Sequence, residues 1–187
     1  MTTRATARAL RRAGPVLAGS LVVVASGCAF DVSPRLDGPL RAGYVTERNE
    51  VCIPSDQGRP ITVGIDVATN TGDEALLVDG IELINPDGLE VVYASLLEID
   101  GNLVGAQTAF PPLNAPELSA EADGHEWLVE PGEELSIVVG LRPTDRQGTA
   151  DATRISYQTP DGEQFFAATS TSIIVVNDPS ATCDDHM

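Results

Sequence analysis

Alternation with a period of two constrains this chain most. Leu135, Ile137, Val139 and Leu141 occupy every second position of 134–142, and Ile61, Val63, Ile65 and Val67 do the same in 61–68. A β-strand sends successive side chains to opposite faces, so each run buries one face and offers the other to solvent. In the earlier run Thr62, Gly64, Asp66 and Ala68 are expected to face outward. Residues 75–84, 89–99, 153–158 and 163–176 are further β-rich runs, and 126–129 is a short one.

Turn residues punctuate these runs. Asn70-Thr71-Gly72-Asp73 ends the first, and Pro131-Gly132 precedes the run at 134–142. Asn85-Pro86-Asp87-Gly88 and Thr159-Pro160-Asp161-Gly162 have the composition of hairpin connections, since Pro presets φ and Gly accepts positive φ. Amphipathic helical stretches are nearly absent. The expected fold is therefore all-β, a single antiparallel sandwich of about seven to nine strands. A Pro-Gly turn before one long strand, and a strand with Tyr157 leading into a Pro-Asp-Gly hairpin, resemble the immunoglobulin-like sandwiches of uncharacterised actinobacterial lipoproteins. The resemblance covers residues 50–176 and implies no functional residues.

Charge is unevenly distributed along the chain. Arg4, Arg8, Arg11 and Arg12 crowd the start, no acid precedes Asp31, and an apolar stretch rich in Leu and Val follows at 16–25. That order reads as a secretory signal peptide. A permanent transmembrane helix is the rival, but the uncharged run at 13–30 is at the short limit and contains Gly14, Pro15, Gly19, Ser26 and Gly27. Val24-Ala25-Ser26-Gly27-Cys28 resembles the lipobox of bacterial lipoproteins, with Ala25 where Leu is usual. The resemblance implies that Cys28 is lipidated and becomes the mature amino terminus; the other reading is an ordinary cleavage site beside a Cys. Two acyl chains would anchor the protein stably at the extracytoplasmic face of the cytoplasmic membrane; without them it would be secreted.

The expected organisation is a signal peptide at 1–27, a Pro- and Gly-interrupted tether at 28–50 with a first edge strand near 44–48, and the sandwich at 51–187. Beyond residue 27 seven Arg stand against 28 acids, a net charge of −21. Such a chain is repelled by an anionic membrane surface, so lipid would have to hold it there. The absence of Lys, with only one Trp, three Tyr and four Phe, also argues against nucleic-acid binding. Arg as the sole basic residue type, with abundant Ala, Gly, Val and Asp, resembles secreted proteins of high-GC Gram-positive bacteria.

With Cys28 given to lipid, Cys52 and Cys183 remain as a pair in an oxidising compartment, where a disulfide is expected. On the chain-entropy model a bridge closing about 130 residues contributes roughly 4–5 kcal/mol. Two unpaired thiols are the alternative.

Catalytic signatures are lacking: there is no Gly-x-Ser-x-Gly, no Ser-x-x-Lys and no phosphate-cradling loop. His125-Glu126 begins like a zinc-protease motif, but Val129 stands where the second His belongs. The expectation is a non-catalytic, membrane-anchored binding module of the cell envelope, with no cofactor and an envelope protein as partner. The alternative is metal binding, through Glu98, Asp100 and Asn102 for Ca²⁺ or through the tail Cys183-Asp184-Asp185-His186-Met187 for a transition metal.

One segment, 101–124, departs from the strand grammar, with Phe110-Pro111-Pro112-Leu113 and Pro116 in a long connection. Long loops in compact domains carry function or lack order. Phe110 and Leu113 therefore either cover one end of the sandwich or form a partner site. As a partner site the segment should be replaceable by a short linker at little cost in stability.

Overall fold

The computed structural model describes residues 35–43, 48–116, 118, 126–178 and 183. The expected signal peptide at 1–27, Cys28, His125 and the tail after Cys183 lie outside the described residues.

The described residues form twelve strands: β1 (Leu40–Ala42), β2 (Asn49–Pro54), β3 (Ile61–Asn70), β4 (Leu76–Ile84), β5 (Leu89–Glu98), β6 (Gly105–Gln107), β7 (Trp127–Val129), β8 (Glu134–Pro143), β9 (Gln147–Ala150), β10 (Ala152–Gln158), β11 (Gln164–Ala168) and β12 (Thr171–Val176). The excess over the expected number comes from β1, β6 and β9, each of three or four residues, and from the division of the 163–176 run into β11 and β12. Too short to show a period of two, β1, β6 and β9 are held by their neighbours.

Three sheets result. A five-stranded sheet runs β1-β3-β8-β5, with β6 also paired to β3; a four-stranded sheet runs β11-β10-β4-β7; and a three-stranded sheet runs β2-β12-β9. The five-stranded sheet makes one layer of a sandwich and the two smaller sheets share the other. Leu40, Ala68, Leu135 and Ile137 of the large sheet meet Leu76, Val78, Val129, Ile155 and Tyr157 of the four-stranded sheet. Ile61, Val63, Val139 and Leu141 meet Ile53, Ile173 and Val175 of the three-stranded sheet. Fully burying each such aliphatic side chain is worth ~1.5–3 kcal/mol. The period-two reading of β8 holds, since Leu135, Ile137, Val139 and Leu141 all face this core.

Other details differ from the sequence expectation. β3 is not half-buried: Thr62, Asp66 and Ala68 are as inaccessible as Ile61 and Val63. A one-residue register shift against β8 between Val63 and Asp66 marks a bulge. The bulge inverts the facing, so Asp66 stands opposite Ile137 and Ala68 opposite Leu135 on the core side. There the Asp66 carboxylate accepts a 2.9 Å hydrogen bond from the Thr171 hydroxyl.

The 85–88 segment is a turn but not a hairpin. β4 pairs with β10 and β7, while β5 pairs with β8, so the turn carries the chain from one layer to the other. Its backbone bonds to residues on and beside β9 instead, with Asp87 and Thr149 exchanging bonds of 2.9 and 2.7 Å. The 159–162 turn is a true hairpin, joining β10 to β11, with Thr159 N–H donating to Glu163 at 3.0 Å. Turn chemistry fixes the local bend and leaves open which strands pair afterwards.

The 163–176 run also divides, giving β11 to one sheet and β12 to another. β12 pairs with β2 in parallel, the exception among pairs that are otherwise antiparallel between named strands. The expected tether at 28–50 contains β1 and the beginning of β2. Leu40 is 2% exposed, and its backbone N–H donates to the Tyr157 hydroxyl at 3.2 Å. The folded body therefore reaches back at least to Arg35, whose backbone bonds to Gln164 and Phe166.

Candidate functional site

The 101–118 segment is built on the outer face of the five-stranded sheet. β5 lies at one edge of that sheet and β6 on the far side of β3, so the chain crosses over β8 to reach β6. Along the middle of β8 the outward positions are Ser136, Val138 and Gly140, small or apolar residues that are buried. The cover is a third hydrophobic cluster, with Tyr93 and Val138 below and Val104, Phe110, Ala115 and Leu118 above.

Two glycines make the crossing possible. A Cβ on Gly140 would stand 2.8 Å from the Phe110 ring and 3.0 Å from Tyr93 Cβ. A Cβ on Gly64 would stand 2.7 Å from Val104 Cβ. Each is a notch in a strand that seats one side chain of the covering segment. Phe110 packs on Tyr93 with ring centroids 5.1 Å apart, and the Thr62 hydroxyl donates to Ala109 O at 2.7 Å.

The structure thus separates the two residues that the sequence placed together. Phe110 is a half-buried structural residue, while Leu113 is 86% exposed at the apex of the same segment. The apex is held in one shape by the Gln107 side chain. Its amide nitrogen donates to Val104 O at 2.9 Å and to Asn114 Oδ1 at 2.6 Å, and its oxygen accepts from Leu113 N at 2.8 Å. Asn114 Nδ2 donates to Val104 O at 3.3 Å, and Ala115 N to Pro112 O at 3.2 Å. Sequence reading missed Gln107 because nothing local distinguishes a Gln that ties a loop from one in solvent.

Beside this apex lies a concavity of about 450 Å³ whose lining includes Glu98, Asp100, Asn102 and Asn114. The three residues considered for Ca²⁺ therefore border one depression. Among the described residues no group of three or more His, Cys, Asp or Glu side chains is arranged to hold a metal ion. Cys183 is joined to Cys52 in a disulfide, with S–S 2.08 Å and Cα atoms 5.6 Å apart. This occupies the sulfur that a tail metal site would have used.

The opposite outer face, on the four-stranded sheet, is open. Arg154 donates to Glu82 from Nε at 2.8 Å and from Nη2 at 2.6 Å, and Gln158 donates to Asp79 at 2.8 Å. Arg35 pairs with Glu163 at 2.6 Å and lies 4.9 Å above the Phe165 ring. At the hairpin the Thr159 hydroxyl donates to Asp161 and holds its carboxyl below the usual range. Leu128, on β7, is 58% exposed among these polar groups. Its signal in the sequence was a position between Trp127 and Val129, where the alternation calls for a polar residue.

No protein-family model matches the chain, and no curated protein matches it. Solved structures show remote likeness. The ASH/PapD-like domain of human CEP192 is 10% identical, with 80% of this chain and 94% of that one covered at a TM-score of 0.41. The Vibrio cholerae VesB protease is 12% identical, with 75% of this chain but 32% of the protease covered, at 0.39. A FixG-related protein from Vibrio parahaemolyticus is 12% identical, with 75% and 98% covered, at 0.33. The architecture described above is an all-β sandwich, and these likenesses are similarity alone.

Proposed function

We propose that the chain is a membrane-anchored extracytoplasmic lipoprotein whose sandwich serves as a non-catalytic binding module of the cell envelope. The anchor part rests on the basic start, the apolar stretch and Ser26-Gly27-Cys28. A disulfide between Cys52 and Cys183 accords with an oxidising compartment.

The observation that carries the binding part is Leu113. Every other large apolar side chain described in 103–118 is turned at least partly inward, yet this one stands out from an apex fixed by Gln107 and Asn114. A rigid, exposed aliphatic group gives up little conformational entropy when a partner covers it, which favours its use as a contact residue. Phe110 and Gln107 are its supports.

The anchor is tested by Cys28→Ala and fractionation of the host cells: the variant should leave the membrane fraction, and its retention there through high-salt extraction would refute lipidation. The contact is tested by Leu113→Asp with crosslinking in intact envelopes. The variant should keep the wild-type melting temperature and lose its crosslinked adduct. An unchanged adduct at unchanged stability would place the contact elsewhere.

A further inference from the structure

A second surface lies on the opposite layer, independent of the loop and of the anchor. Leu128 on β7 and Leu77 on β4 are register partners, and with Ala75, Gln158 and Pro160 they line a groove of about 370 Å³. β7 is the terminal strand of its sheet, with β4 as its strand partner. The other terminal strand, β11, has Arg35 bridged alongside it, so the β7 edge is the open one among the described residues.

The surroundings of this groove are anionic. Asp73 and Glu74 lead into Ala75, Glu126 and Glu130 flank β7, and Asp161 sits in the hairpin beside Pro160; all five are exposed. The arginines described on the same face are already paired, Arg154 with Glu82 and Arg35 with Glu163. An apolar floor inside an acidic surround selects its occupant by charge as well as by shape. A second copy of this chain would bring the same acids to the same place and be repelled.

We infer that the Leu77, Leu128 and Pro160 groove docks an extended segment of a cationic partner, one that sets an aliphatic side chain into the groove and Lys or Arg against the acids on either side. The aliphatic group supplies the buried contact and the flanking cations supply orientation and rate of encounter. The occupant is thus a basic, aliphatic stretch of protein, recognised beside a strand edge.

The probe is a fluorescein-labelled ten-residue peptide alternating Lys and Val about a central Leu, with a matched Glu and Val peptide as its counterpart. Anisotropy titration against the full, oxidised chain should show binding of the Lys peptide, weakened by about tenfold or more between 0.05 and 0.5 M salt, and none of the Glu peptide. Leu128→Ser should reduce affinity by about tenfold or more, and Leu128→Lys should abolish binding. Leu113→Ser, on the other surface, should leave the titration unchanged. Because Leu128 is exposed on a terminal strand, unchanged circular dichroism and melting are expected for both of its variants. Equal binding of the two peptides, or wild-type affinity in Leu128→Ser, would overturn the inference. So would a concentration-dependent dimer in sedimentation that Leu128→Ser dissolves, because the occupant would then be a second copy.

Discussion

On the outer face of the five-stranded sheet, Val138 and Gly140 lie beneath the chain's own 101–118 segment. On the outer face of the four-stranded sheet, Glu82, Arg154 and Gln158 stand in solvent, paired with one another or with Asp79. The difference follows from side-chain chemistry. Small and apolar outward residues cannot be left wet without loss, so the chain spends a long connection covering them. Charged and amide residues need no cover, and they leave a sheet free to meet something else. The covered face presents one fixed contact at its apex, whereas the open face presents a groove.

The largest test of this contrast removes the cover. Replacing 101–118 by a short Gly-Ser linker should cost ~5 kcal/mol or more, since it removes β6 from the edge of β3 and strips Val104, Phe110, Ala115 and Leu118 from one cluster. A chemical-denaturation midpoint unchanged by the replacement would mean the segment is only draped over the sheet. On the sequence alone that outcome belonged to the partner-site reading; the seated side chains of Val104 and Phe110 match the reading of the segment as a cover.

A finer test compares one glycine on each face. Gly140→Ala should destabilise by ~1–3 kcal/mol, because its new methyl group must displace Phe110 and Tyr93. Gly80→Ala, on the open sheet, meets Ser156 Cβ at an ordinary 3.6 Å and should be neutral or stabilising by up to ~1 kcal/mol. Equal costs for the two in urea unfolding would remove the distinction between the faces.

The smallest effect concerns the core that both sheets share. Burial raises the pKa of the Tyr157 hydroxyl, which points to the Leu40 amide. The folded state thus holds the proton more tightly than the unfolded chain does. That contribution is fully present below about pH 10, the unfolded value, and is lost as pH rises through the folded value. Melting followed from pH 9 upward should show a decline that Tyr157→Phe shallows. An unchanged slope in the variant would assign the decline to other groups.

Much of the sandwich was legible in the sequence because alternation reports a buried face directly. β8 showed its core side residue by residue, and the 159–162 hairpin declared itself through Pro and Gly. The sequence concealed features decided at a distance. The β3 bulge is set by pairing with β8, and no residue type announces it. The change of layer at 85–88 uses the same turn residues as a hairpin. Gly64 and Gly140 did carry a signal, since glycine inside a strand marks a close approach, but what approaches them comes from some 40 residues after the first and 30 before the second. Leu113 and Phe110 looked alike for the same reason: only the fold turns one in and the other out.

The parallel pairing of β2 with β12 has a mechanical consequence. A pull applied between the segment before Arg35 and the segment after Cys183 enters β2 from its beginning and leaves β12 by its end. Without the disulfide, the six registered pairs from Asn49 with Thr171 to Pro54 with Val176 would be loaded together in shear. The disulfide diverts that load, because tension reaching Cys52 passes through sulfur to Cys183. The chain between them, a separation of 131 residues, is off the load path. Of the described strands, β1 and the first residues of β2 can be drawn out by such a pull, while the rest of the sandwich hangs from a covalent hook.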